Sequence, residues 1–147
     1  MSLVELILVL ATALGVVDGK TIRIKDNTGN TATVRLACID IPQTSQQQYS
    51  LAAKQKLEKM LPSGTPVVIR TVWADKLNRT FGEVYVDNRS VNLRMVEEGY
   101  AVVDRQSLNF CDETKTQFLI AQANAENKRL GLWQQLNPAM TNTNSPK

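Results

Sequence analysis

Apolar and polar positions alternate with a period of two along the first part of the chain, and this alternation predicts strands at 11–17, 21–25 and 31–39. Asp18-Gly19-Lys20 separates the first two runs and is a hairpin signal, because glycine tolerates the positive φ that tight turns require. A second turn, Asn27-Thr28-Gly29-Asn30, leads into the third run, so the three form a meander. The period then changes. Leu51, Ala52, Leu57, Met60 and Leu61 recur near helical spacing until Pro62-Ser63-Gly64, which predicts a helix over 51–61. Strands at 67–72 and 82–86 follow, on either side of a polar loop at 75–79. The remainder reads as helix over 91–98, closing at Gly99, and over 113–129, where Phe118, Leu119, Ala121, Ala125 and Leu130 share one side and Gly131 supplies the stop. Five strands with a helix after the third and helices at the end suit an α+β domain, mainly β: a five-stranded Greek-key barrel of the OB type with three helices.

The pattern also bounds the domain. With 147 residues, 43% of them hydrophobic, the chain can build one core and is short for two, so one domain is expected over 11–136. Ahead of it, "LILVLATALGVV" is too short for a stable membrane span and lacks the Lys or Arg that precedes a signal-peptide core. Two readings of residues 1–10 stand: a trimmed secretory start, or an extra strand or helix packed on the domain. Residues 137–147, "NPAMTNTNSPK", have little to bury and are expected to be a disordered polar tail.

Composition narrows the chemistry. The 17 Lys and Arg against 14 Asp and Glu give a charge of +3, which suits a polyanionic partner but is common without one. The absence of histidine excludes Ser-His and Cys-His catalysis, and two cysteines are too few for a structural zinc site. Acid/base work falls to carboxylates, lysine or tyrosine. Cys38 and Cys111 suit either buried apolar thiols or, in an oxidising compartment, a disulfide. In "RLACIDIPQ" a buried strand runs into a polar loop that holds Asp40 and then only an amide, Gln43, where hydrolysis wants a second carboxylate.

Five segments, "VVDGKTIRI", "VRLACIDIPQ", "LNRTFGEVYV", "VNLRMVEEGYAVV" and "AQANAENKRLGLW", together resemble the staphylococcal nuclease or thermonuclease-like family over residues 11–133. The resemblance implies an OB barrel with three helices and an ancestry of DNA and RNA phosphodiester hydrolysis, with one Ca²⁺, two phosphate-binding arginines and a glutamate base. It is closest to secreted bacterial members, which implies a Cys38–Cys111 disulfide and a secreted or periplasmic location. Arg35 and Arg79 fall on the two arginines and Asp40 on a metal carboxylate. Lys20 stands where the family has a second metal carboxylate, and Gln43 stands where it has the base. Ile41 replaces a threonine, Leu77-Asn78-Arg79 an aromatic-Gly-Arg turn, Gln48-Tyr49-Ser50 a Pro-Tyr-Gly helix start and Asp104 a tyrosine.

Those departures imply a degenerate site that does not bind calcium, with Asp40 the sole metal ligand if any ion is held. The expected function is weak binding of nucleic acid, nucleotide or another anion by a monomer, through Lys20, Arg35 and Arg79 with Asp40 beside them. Two alternatives remain: a nuclease whose metal sits on Asp40 and backbone oxygens, and a protein-interaction module that uses the barrel alone. Lys20 also suits a solvated turn lysine paired with Asp40, and Arg35 and Arg79 suit hydrogen bonds that close the barrel ends. Trp73 suits a base-stacking ring or a rim aromatic covering the barrel, and Trp133 suits core packing.

Overall fold

A computed structural model of the protein describes residues 8–42, 47–74 and 79–135. In chain order its elements are β1 (Leu8–Asp18), β2 (Thr21–Asp26), β3 (Thr31–Leu36), β4 (Ile39–Asp40), α1 (Gln47–Met60), β5 (Pro66–Ala74), β6 (Arg79–Val86), β7 (Arg89–Ser90), α2 (Val91–Glu97), β8 (Val102–Val103), a 3₁₀ turn (Leu108–Cys111), α3 (Lys115–Lys128) and α4 (Leu132–Gln135). Among the described residues, the large sheet runs β3-β2-β1-β5-β6 and closes when β3 pairs with β6, giving the expected five-stranded barrel. The closing pair is parallel, and every other pairing around the barrel is antiparallel. β7 folds back on β6, and β4 pairs with β8 as a small separate ladder.

The period-two pattern fills the barrel. Ile22, Ile24, Val34, Leu36, Ile69 and Val84 point inward and are buried, and Leu57 of α1, Met95 of α2 and Phe118 of α3 extend the same core. Residues 8–10 continue β1 against Arg70, Ile69 and Val68 of β5, so the strand starts three residues earlier than the alternation predicts. Residues 1–7 and the expected polar tail lie outside the described residues. The predicted strand at 31–39 is divided. β3 ends at Leu36, Cys38 takes a left-handed φ of 69°, and Ile39–Asp40 pair with β8 instead.

Two glycines act by proximity, not in the way the turn pattern suggests. Gly29 does adopt a positive φ of 94°, but Gly19 does not; a Cβ there would lie 2.7 Å from the Cβ of Ala53, so α1 seats directly on the hairpin turn. Likewise Gly131 is not the residue that ends α3. Arg129 makes that turn at φ 55°, with Leu130 N–H returning to Ala125 C=O. Gly131 instead lies against Gly99, where a Cβ would meet the Gly99 carbonyl oxygen at 2.3 Å, and this lets Leu132 N–H donate to that carbonyl at 2.8 Å.

Two buried polar side chains tie the layers together. Asn92 of α2 donates to Ala37 C=O (2.9 Å) and Gly82 C=O (3.0 Å) and accepts from Val84 N–H (3.0 Å). Glu83 faces outward from β6, ion-paired to Arg70 on β5, and accepts from Thr114 Oγ1 (3.0 Å) in the segment leading to α3. Cys38 and Cys111 form a disulfide across a sequence separation of 73. In the chain-entropy account such a loop stabilises the fold by about 4 kcal/mol.

Two measurements follow. Thiol titration of denatured, unreduced protein should find no reactive cysteine, and two reactive thiols would refute the bridge. Asn92→Leu keeps the volume but leaves the buried Val84 N–H and Ala37 C=O without the partner Asn92 supplies, while Gly82 C=O still accepts from Ala37 N–H, so urea unfolding should show a loss of about 3 kcal/mol. A loss below about 1 kcal/mol would show that these bonds do not hold the fold.

Candidate functional site

The parallel seam sets the geometry of the site. Val34 and Leu36 point into the barrel, so Thr33 and Arg35 point out, and on β6 the outward positions are Arg79 and Phe81. Thr33 is opposite Arg79 and Arg35 is opposite Phe81. The two arginines therefore share one face, offset by two residues, or about 7 Å, along the strands. The Arg35 guanidinium lies over the Phe81 ring, 5.5 Å from its centroid, and Trp73 of β5 meets Phe81 edge-on at 5.2 Å.

Lys20 and Asp40 reach this face from its two flanks. Thr21 is the register partner of Arg35, and Lys20 C=O accepts from Leu36 N–H at 2.8 Å, which fixes the β1–β2 turn beside the end of β3. From there Lys20 Nζ donates to Asp40 Oδ1 at 2.7 Å. Arg35 Nη2 donates to the same oxygen at 3.3 Å, and Ile41 N–H does so at 2.9 Å. One carboxylate oxygen thus carries three donors, two of them cationic. Burial acts to raise the Asp40 pKa, but the Lys20 hydrogen bond, the Ile41 N–H and the charges of Lys20 and Arg35 outweigh it, so the net shift is downward. Arg35 Nε–H is buried and has no hydrogen-bond partner among the described residues.

A cleft of about 700 Å³ opens beside this pair, lined by Asp18, Lys20, Ile41, Pro42, Gln48 and Lys54 among others. Gln43 lies outside the described residues, as do Leu77 and Asn78. Asp104 caps the turn after β8: its N–H donates to Cys38 C=O at 2.9 Å, and its carboxylate accepts from Ser107 Oγ at 2.8 Å. Among the described residues no three His, Cys, Asp or Glu side chains gather as a metal-ligand group. Sequence reasoning missed two participants. Phe81 was legible in principle, since it lies two residues beyond Arg79 on one strand and so on the same face, whereas the Ile41 N–H carries no side-chain signal at all.

Residues 33–135, more than two thirds of the chain, match the family described as staphylococcal nuclease homologue. An uncharacterized endonuclease of Haemophilus influenzae is 31% identical over 121 residues, covering 82% of this chain and 64% of that protein. The prophage-derived endonuclease YokF of Bacillus subtilis is 32% identical over 126 residues, covering 80% of this chain and 41% of its own length. Endonuclease YhcR of the same species is 28% identical over 144 residues, covering 85% of this chain and 11% of its own length. The chain thus spans less than two thirds of each of these relatives.

The Asp40 cluster has a pH signature. A carboxylate with a folded pKa below its unfolded value contributes stability that is fully present above the unfolded value, about 3.9, and is lost as pH falls through the lower folded one. Asp40→Asn should therefore be less stable than the parent near neutrality, and the gap should close as acid unfolding curves are taken below about pH 4. A gap of constant size across that range would show that the Asp40 charge is not what the two cations bind.

Proposed function

The chain belongs to the staphylococcal nuclease homologue family, and we propose that it is a domain of nuclease ancestry that holds a nucleic-acid or nucleotide phosphate weakly while lacking calcium-dependent cleavage. The observation that carries this reading is the Lys20 ammonium at 2.7 Å from Asp40 Oδ1. Calcium takes six to eight oxygens at about 2.3–2.6 Å and draws on carboxylates to balance its charge. Here the carboxylate of Asp40 is already engaged by two cations, and an ammonium about 4 Å from a dication is repelled by about 8 kcal/mol at an effective dielectric near 20. These residues do not fit the ion.

They do fit an anion. Lys20 and Arg35 are held in place by Asp40, and Arg79 lies on the same face. A phosphate there would meet fixed positive charge without a metal to bridge it. In the sequence the base position carries the amide of Gln43, which has no useful proton affinity, and loss of general-base help alone removes about 10² to 10⁴ in rate. A second reading, cleavage supported by a different metal, is favoured by one observation: the relatives are named endonucleases over a match covering four fifths of this chain.

The test is a nuclease assay on single-stranded DNA across Ca²⁺, Mg²⁺, Mn²⁺ and Zn²⁺, with melting curves alongside. The parent protein should show no calcium-stimulated cleavage and no calcium-dependent rise in Tm, because an ion that does not bind cannot stabilise. Its DNA binding should weaken steeply with salt and be indifferent to a chelator. Lys20→Asp with Gln43→Glu should gain both the calcium shift and weak cleavage, while neither change alone should suffice. Calcium-dependent cleavage by the parent that Arg35→Ala abolishes would overturn the proposal, and cleavage with another ion would establish the second reading.

A further inference from the structure

Trp73 is 41% exposed, an unusual position for an indole, while Trp133 is buried at 7% in the core. If Trp73 served to cover the barrel rim it would be packed down. Phe81 already fills that role, partly buried against the core, with Trp73 standing edge-on to it at an interplanar angle of 66°. The register adds what this ring can reach. Arg35 pairs with Phe81 across the seam, and Phe81 pairs with Trp73 across the next ladder, so the three residues form one rung over β3, β6 and β5. Two strand spacings, about 10 Å, separate the arginine from the tryptophan, a span that one nucleotide covers between its phosphate and its base.

We infer that Trp73, buttressed by Phe81, is a stacking platform for an unpaired nucleobase whose phosphate rests on Arg35 and Arg79. The inference rests on the phosphate-binding reading of that face and adds a base site to it. Stacking on an aromatic ring is tolerant of base identity but needs a base free of its own pairing, so the ligand is single-stranded nucleic acid, with duplex excluded from this contact. Phe81 is engaged on one side by the Arg35 guanidinium, which leaves Trp73 as the open ring of the pair.

The test uses the whole chain with three probes: a short labelled oligothymidylate, the corresponding duplex, and inorganic polyphosphate as a polyanion without bases. Oligothymidylate should quench the tryptophan emission in part, since Trp133 stays buried, and polyphosphate should not. Trp73→Leu should lower the ratio of oligothymidylate to polyphosphate affinity on the order of tenfold, and Trp73→Phe should retain most of it. Duplex should bind more weakly than the single strand. If oligothymidylate and polyphosphate both bind but emission does not change and Trp73→Leu leaves the ratio unaltered, the base site is refuted and the phosphate site stands. Equal binding of duplex and single strand likewise refutes the base site, and binding of neither polyanion refutes both.

Discussion

The barrel closes at the parallel β3–β6 seam, and one buried side chain braces it. β3 and β6 meet in parallel, a pairing that no short turn can enforce, and the residues that must find one another lie far apart in the chain. The Asn92 amide spans that seam, bonding β6 at Gly82 and Val84 and the chain leaving β3 at Ala37. Its two donors and its acceptor are all used inside the core, where an unpaired polar group is costly and a satisfied one specifies a single arrangement. Arg35 faces Phe81 and Arg79 faces Thr33 only in this register. A slip of one residue would turn the arginine of the slipped strand into the barrel.

The charges on that face are arranged by the same local economy. The Asp40 carboxylate is shared by two basic side chains, Lys20 and Arg35, which fixes the direction of the Arg35 guanidinium. The carboxylate acts as an anchor for cations. Part of the positive charge at this site is built into the turn between β1 and β2, where Lys20 sits.

The sequence made the barrel legible because its signals are periodic: Ile22 and Ile24 alternate with Arg23 and Lys25, and helical spacing marks Leu57 and Phe118. The shared face of Arg35 and Arg79 came from resemblance, since nothing in either strand alone announces a parallel seam. What stayed hidden was contact between backbones. Gly19 reads as a turn residue and is in fact the seat of Ala53, and Gly131 reads as a helix stop and is in fact pressed against Gly99. The division of 31–39 into two strands was equally hidden, because the residues that bond at the break, Asn92 to Ala37 and Cys111 to Cys38, lie 55 and 73 residues away. Local pattern carries no record of such forces.

The disulfide also constrains the timing of assembly. Cys38 is 2% exposed and Cys111 is fully buried, so neither sulfur in the finished barrel can be reached by a dissolved oxidant or a reducing thiol. Exchange needs an in-line approach to sulfur. The bond must accordingly close before the lead-in to α3 docks and buries both sulfurs. A chain that docks first holds two thiols it can oxidise only by opening again, and a chain bonded first keeps the bond for as long as it stays folded.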